Sequence, residues 1–395
     1  MKAVIVVDLG FGDSGKGTMT DYLVRTLGAR LVVRFNGGAQ AGHTVVAPDG
    51  RKHTFSQFGA GSLVPGVRTH LSRFMVVHPG GLRREAEVLG RDLSGVTVAP
   101  EALVTTPFHV AANHIRERRL RHGSCGLGVG ETVADSLAFP EDAIRFHELS
   151  SPAVLRRKLL RLQSRKWSEL GPDPVLESAT VADEWIALVG SLGVRVAEDV
   201  FDETVVFEGA QGVLLDEWRG FHPHTTWSTC TFDNALSLLE GYAGEVKRLG
   251  VLRSYMTRHG NGPLPTEIDL GLDEPDNHTG PWQGAFRTGW ADAVLGRYAI
   301  ACCGGVDGLA ITHLDRVRPD WQMCTRYKGG DLQVGPWQDL EYQSRLLEGC
   351  EPTYQPFSLD GFVEALGAPL WFESWGAGPD HKLARAEEAV VTPAA

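Results

Sequence analysis

Residues Ala3-Val-Ile-Val-Val7 and, behind Asp8 and Leu9, Gly10-Phe-Gly-Asp-Ser-Gly-Lys-Gly-Thr18 decide the fold. An unbroken apolar, β-branched run without polar alternation predicts a strand buried on both faces, as in a parallel sheet covered by helices. The Gly-rich run satisfies G-x-x-x-x-G-K, and Met19 to Leu27 follows with helical periodicity. A strand, a Gly-rich turn and a helix in that order offer consecutive backbone N–H groups to an anion, and Lys16 adds a charge near the terminal phosphates. Gly17 stands where a P-loop carries the Ser or Thr that holds Mg²⁺, so a metal here needs another oxygen donor. Asp13 inside the loop is the obvious one. An acid in a phosphate cradle is tolerable only behind a cation, or as a base acting on a substrate.

Further apolar runs recur at Leu31–Val33, Val96–Val98, Val205–Phe207 and Leu309–Ile311. Between them lie helical patterns at Leu82–Leu89, Ala111–Leu120, Pro152–Leu162, Ala182–Leu192 and Trp290–Ala301. The whole predicts an α/β fold: a mostly parallel central sheet flanked by helices, with a P-loop-like strand, loop and helix at the N-terminus. Segment 141–200 reads as a helical subdomain whose charges (Arg156, Arg157, Lys158, Arg161, Arg165, Lys166) form a solvated face. With no internal repeat and no low-complexity linker, residues 1–395 are expected to form a single unit, and 386–395 a frayed tail.

Composition excludes several classes. The chain of 395 residues carries 38 Lys+Arg against 49 Asp+Glu, a net charge of −11, which repels a nucleic-acid backbone or an anionic membrane. No stretch approaches the ~18 apolar residues of a membrane span, and Ala3–Val7 is too short for a signal peptide. The six cysteines have no C-x-x-C spacing and read as reduced thiols of a cytoplasmic protein. Glycine is the excess: 47 residues, about 12% against an average near 7%, clustered where function is to be sought.

Five further constellations follow strand-like runs. In Val33-Arg-Phe-Asn-Gly-Gly-Ala-Gln-Ala-Gly-His-Thr44, a His between Gly42 and Thr44 is placed for acid–base work near neutral pH. Phe207-Glu-Gly-Ala-Gln-Gly-Val-Leu-Leu-Asp216 puts the Gln211 amide at a turn. Tyr255-Met-Thr-Arg-His-Gly-Asn-Gly-Pro-Leu-Pro-Thr-Glu267 and Gly284-Ala-Phe-Arg-Thr-Gly-Trp-Ala-Asp292 follow, and each of these three stretches, taken alone, reads equally well as a plain Gly-rich connection with no ligand. Ile311-Thr-His-Leu-Asp315 ends on a carboxylate that can accept from N1–H and the 2-amino group of guanine, although a helix N-cap is the commoner role of such an Asp.

Together these motifs resemble one family, adenylosuccinate synthetase, which joins IMP and aspartate using GTP and Mg²⁺. The family's G-D-E-G-K-G stands as Gly12–Gly17, G-G-x-N-A-G-H-T as Gly37–Thr44, E-G-A-Q-G-x-x-L-D as Glu208–Asp216, T-R-V-G-x-G-P-F-P-T-E as Thr257–Glu267, R-T-G-W-x-D as Arg287–Asp292, T-K-L-D as Thr312–Asp315, and G-P-[DE] as Gly378–Asp380. The resemblance implies that Asp13 takes the N1 proton of the purine lactam and ligates Mg²⁺ together with the Gly42 carbonyl. It implies that His43 assists γ-phosphoryl transfer to O6 and that Lys16 neutralises the migrating group. It implies GTP contacts by Gly12, Ser14, Gly15, Lys16, Gly17, Thr18, Gly42, His43, Thr44, Arg287, His313, Asp315, Gly376 and Gly378. Gln40, Cys125, Gln211 and Thr226 would hold the acceptor with Asp13, and Gln283 and Arg287 the amino acid. Family members are homodimers with composite sites, so a homodimer is implied.

The chain also departs from the pattern. Ser14, Gln40 and His313 replace Glu, Asn and Lys; Leu127 and Glu131 replace Arg and Pro; Ala285 and Phe286 occupy basic positions; and the family's Y-P-[YF]-V-T-S-S-N appears as His222-Pro-His-Thr-Thr-Trp-Ser-Thr229. The Arg that in the family crosses the dimer to the 5′-phosphate has no counterpart before Arg145. Three expectations stay open: ligation of aspartate to IMP or a close analogue, a paralogue with another lactam or amine, and a GTP-binding regulator.

Overall fold

The computed structural model describes residues 1–121, 123–277 and 282–385; the expected frayed tail, 386–395, lies outside them. Its main sheet has ten strands: β1 (Lys2–Asp8), β2 (Leu31–Arg34), β3 (Arg68–Leu71), β4 (Val96–Val98), β5 (Arg195–Val196), β6 (Val205–Glu208), β7 (Glu245–Arg253), β8 (Gly308–Thr312), β9 (Leu370–Ser374) and β10 (Lys382–Ala384), in the order β10-β9-β8-β7-β1-β6-β2-β3-β4-β5. Every neighbouring pair is parallel except β9 with β10. In register, Ala3 pairs with Val205 on one side of β1 and with Val246 on the other.

The apolar run of β1 alternates between two cores. Ala3, Ile5 and Val7 pack on one face with Phe207, Tyr298 and Ile311. Val4 and Val6 face the other way, onto Met19, Leu23 and Val24 of helix α1 (Lys16–Leu27). Both faces are thus covered, as expected of a strand without polar alternation. A third core gathers helices α2 (Pro79–Leu89), α3 (Pro107–Leu120), α5 (Pro152–Leu170) and α6 (Val181–Gly190) beside β4, with α4 (Val129–Ala138) packed on α3.

Three expectations are corrected. The helix expected from Trp290 begins later: Phe286–Asp292 is a strand, and the helix runs Ala293–Cys302 because the Asp292 carboxylate caps it, accepting from Val294 N and Leu295 N at 3.0 Å. The stretches at Tyr255–His259 and Phe286–Asp292, readable as Gly-rich connections, pair antiparallel in a second, four-stranded sheet with Gln322–Tyr327 and Pro352–Pro356. The basic face of 141–200 is only partly solvated: Arg156 and Arg161 are exposed, but Lys158 and Lys166 are buried on Glu148 and on Glu131 and Asp135.

Because β8, β7, β1, β6 and β2 are adjacent and parallel, the loops leaving their carboxyl ends collect along one edge of the sheet.

Candidate active site

The loop after β1 is organised by Asp8, which is buried and accepts from Gly10 N at 2.8 Å, Ser14 N and Ser14 Oγ at 2.9 Å and Lys16 Nζ at 3.0 Å. Ser14 therefore stands where a carboxylate would be forced against that of Asp8. Asp13 takes a left-handed backbone at φ 57° and points away from this knot. Its Oδ2 lies 3.3 Å from His259 Nε2, and its carbonyl accepts from Arg253 Nε at 2.6 Å. Burial alone would raise its pKa; the hydrogen bond and charge of His259, with Arg253 and Lys16, outweigh burial and hold the carboxyl below its ordinary value. For His259 burial is likewise the largest influence, and the bond and charge of Asp13 reverse it, so the imidazole sits above its ordinary value.

His43 is buried with Nδ1 2.6 Å from Glu208 Oε1 at the end of β6, which leaves Nε2 as the edge for a ligand. Burial holds this imidazole down although Glu208 pulls it up, and the net direction is down. Glu208 also accepts from Ala60 N at 2.9 Å and lies 3.9 Å from the buried Arg34. Gly17 explains why the P-loop hydroxyl is missing here: a Cβ there would come within 2.7 Å of His43 Cβ. At Gly212 a Cβ would meet Gly10 O at 2.2 Å, so the loops after β1 and β6 touch backbone to backbone. Asn36 clamps the loop after β2 onto the loop after β6, donating to Ala210 O and Thr229 O and accepting from Ala210 N. Gln211 takes φ 56° and leaves its buried Oε1 without a partner among the described residues.

On the other side of the β1 loop, Thr312 Oγ1 donates to Ser14 O at 2.8 Å, and Gly15 lies against Thr312. His313 follows at φ 57°; burial, with Arg253, Arg316 and Lys382 nearby, holds it neutral, well below the ordinary imidazole value. Asp315 is exposed in a short turn, Leu314–Arg316, 3.4 Å from Arg316, and does not cap an α-helix. Thr18 Oγ1 donates to Ala377 O at 2.7 Å, and Lys382 Nζ holds Gly376 O at 2.6 Å and Gly378 O at 3.0 Å. Burial brings Lys382 down to about 8 despite Asp21 and Asp315. The phosphate loop, Asp315 and Gly376–Gly378 are thus one continuous wall, with Lys382 adding a cation there.

The acceptor side is assembled differently. Cys125 and Gln283 touch, the amide donating to Sγ at 2.8 Å. Gln40 lies beside Gly38 with a buried Oε1 that has no partner among the described residues, Gly42 and Thr44 flank His43, and Thr226 is anchored through its backbone to Leu215. Arg287 is not drawn to the Asp315 wall by any contact among the described residues: its guanidinium donates to Glu267 at 2.6 Å, Gly260 O at 2.9 Å and Gly262 O at 2.8 Å. The basic positions that became Ala285 and Phe286 leave the Phe286 ring 4.9 Å from His259.

Asp8, Asn36, Glu208, Arg253, His259 and Lys382 were missed as site residues. Asn36 and Glu208 stand inside the quoted Gly-rich motifs and His259 replaces the family's Val, but none had been given a role; Asp8, Arg253 and Lys382 are lone polar residues in apolar or irregular stretches and carry no spacing signal. For Mg²⁺ the donors on hand are hard oxygens, the half-exposed Asp13 carboxylate and the Gly42 carbonyl. That fits an ion that keeps several ligands for water and phosphate. Of the five non-glycine residues with left-handed backbone among the described residues, Asp13, Gln211 and His313 sit in this one cleft; such strain collects at functional sites.

A Gly-rich loop with Lys16, the Asp13 carboxylate inside it and a buried His on a carboxylate, on one edge of a parallel sheet, are the features of an α/β enzyme that activates its substrate with a nucleoside triphosphate. Residues 5–368 match the sequence profile of adenylosuccinate synthetase. The chain is 33% identical over 426 residues to the adenylosuccinate synthetase of Syntrophobacter fumaroxidans and 34% over 428 to that of Desulforudis audaxviator, spanning 100% of itself and 95% of each. The fold is similar to fully ligated adenylosuccinate synthetase from Plasmodium falciparum, with TM-score 0.81 at 22% identity over 97% of this chain and 99% of that one. It is also similar to the succinoaminodeoxyadenylate synthetase of cyanophage S-2L bound to dGMP and dATP, with TM-score 0.65 at 19% identity over 97% and 95%. The chain belongs to the adenylosuccinate synthetase family and is a ligase that forms a carbon–nitrogen bond.

Proposed function

We propose that the chain uses GTP to phosphorylate the lactam oxygen of IMP or a related acceptor and then joins the activated carbon to the amine of aspartate or a related compound. The observation that carries this reading is that touching loops bring Asp13, Lys16 and His43 together, with Asp13 3.3 Å from His259 and His43 oriented by Glu208. Asp13 removes the N1 proton as the lactam oxygen attacks the γ-phosphorus, whose bond to the β,γ-bridging oxygen breaks so that GDP leaves. Lys16 and the backbone N–H groups of the Gly-rich loop balance the charge that develops on the moving phosphoryl group. The amine attacks the same carbon, phosphate departs with the former lactam oxygen, and the amine loses a proton. Asp13 and Gly42 would hold Mg²⁺, which supplies charge neutralisation at the phosphates. Asp315 would select guanine, Gly376 and Gly378 would close that pocket, and Gln211 and Thr226 would orient the acceptor. A homodimer in the cytoplasm is the proposed setting; the six cysteines are all free, and no helix among the described residues is long and apolar enough to cross a membrane.

Phosphate release from GTP and Mg²⁺ is expected only when acceptor and amine are present, and Asp13→Asn should lower it roughly 10²–10⁴-fold. Release that ignores the acceptor, or survives Asp13→Asn, refutes the ligase reading and favours a GTP-binding regulator. A second reading, a paralogue with another acceptor or amine, is favoured by the apolar residues at formerly charged positions.

A further inference from the structure

Trp227 and Trp282, far apart in sequence, pack on one short segment of the acceptor side, Gly126–Gly130, which contains Leu127. Trp282 stacks on His114 at 4.7 Å and 10° and presses on Gly126, where a Cβ would come within 2.7 Å of its ring. Trp227, half-exposed, lies on Gly130 in the same way, at 2.8 Å. Leu127 stands between these two glycines, and Cys125, just before them, receives the Gln283 amide. The loop continues to the chemistry: Gly260 N donates to Ala285 O at 2.9 Å, and Phe286 faces His259, which faces Asp13. An aromatic and aliphatic wall therefore runs from the proposed base to the rim of the cleft.

The charges on α4, beside the Gly126–Gly130 end of that wall, are already matched, whereas Arg258, next to His259, is held by the carbonyls of Asn261, Pro263 and His224. Glu131, in the first turn of α4, takes Arg116 at 2.6 Å and Lys166 at 2.9 Å. Asp135 takes Lys166 at 3.1 Å and Arg165 at 2.9 Å, and Arg165 also lies over the Phe139 ring. These cations, which touch α4 among the described residues, are each held by a carboxylate. A phosphate dianion brought against α4 would lose water without gaining a free cation among the described residues of that helix and its partners, and the overall charge of −11 opposes its approach. Indole faces instead favour a planar, uncharged surface.

We infer that this site takes an uncharged heteroaromatic lactam, a nucleoside or free base without a phosphate group, lying along the wall of Trp282, Leu127 and Trp227. The inference rests on the reading of the chain as a GTP-dependent, lactam-activating ligase. Its probes are inosine and IMP, which share the lactam and differ by the phosphate. Two readouts on the full-length protein separate the claims: quenching of tryptophan fluorescence for binding, and phosphate release with GTP, Mg²⁺ and aspartate for chemistry. Inosine is expected to bind at least tenfold more tightly than IMP, with the same ordering in kcat/KM. Trp227→Ala should weaken inosine at least fivefold, and Leu127→Arg should shift preference toward IMP. IMP binding equal to or tighter than inosine, or no binding of either, overturns the inference. Tighter inosine binding without acceptor-dependent phosphate release supports the uncharged site and overturns the ligase reading on which its chemistry rests.

Discussion

At the scale of single residues, the proposed chemistry depends on side chains held by neighbours that a motif search passes over. His43 is oriented by Glu208 at 2.6 Å, and Glu208 in turn faces the buried Arg34. Glu208→Gln is expected to lower kcat about a hundredfold or more and to change the KM for GTP far less, because the amide keeps a hydrogen bond but loses its charge. A larger rise in KM than fall in kcat would instead make Glu208 part of nucleotide binding. Lys382 acts on the opposite wall, holding the carbonyls of Gly376 and Gly378. Lys382→Met removes charged hydrogen bonds of about 1.5–3 kcal/mol each, so the KM for GTP should rise roughly tenfold or more with kcat little changed. An unchanged KM would dissociate the 376–378 loop from GTP. Asp13 and His43 were legible because their Gly-rich contexts repeat a family pattern. Asp8 and Lys382 were not, although their partners are close in sequence (Gly10, Ser14 and Lys16 for one, Gly376 and Gly378 for the other), because a single Asp or Lys in such a stretch has no pattern that marks it as the anchor of its loop.

At the scale of elements, the clearest lesson is the strand that ends at Asp292. Trp290 to Ala301 has helical periodicity, yet pairing of Phe286–Asp292 with Tyr255–His259 overrides it up to the cap. Periodicity marks a helix but does not fix its first residue; the buried cap does. Burial raises the Asp292 carboxyl to about 6, against the opposing hydrogen bonds from Tyr327 and from the backbone of Leu295 and Val294. A carboxyl whose folded-state pKa lies above its unfolded value stabilises the fold fully below the unfolded value near 4, and that contribution is lost as pH rises through about 6. The unfolding free energy of the native chain minus that of Asp292→Asn should therefore fall by roughly 2 kcal/mol from pH 4 to pH 7, as read by urea denaturation. A difference independent of pH would show that Asp292 stays ionised in the fold.

At the scale of the molecule, the parallel order of β8, β7, β1, β6 and β2 converts five separate loops into one cleft. That much was legible in the apolar runs, since strands without polar alternation require cover on both faces. The second sheet was not, because Tyr255–His259 and Phe286–Asp292 carry Arg, His and Gly and are strands only through each other. The acceptor side was legible only as departures from the family. The structure gives them physical content, indoles lying on Gly126 and Gly130 and cations bound to the carboxylates of α4, which is why the inference turns on the acceptor's charge.

The central claim, that the phosphoryl group passes to the lactam oxygen and leaves with it, is tested by oxygen-18. IMP and inosine labelled at the lactam oxygen are each turned over with GTP, Mg²⁺ and aspartate, and the inorganic phosphate is weighed by mass spectrometry. One labelled oxygen in each phosphate released is the predicted result. Phosphate that carries only unlabelled oxygen, from GTP and water, would contradict it.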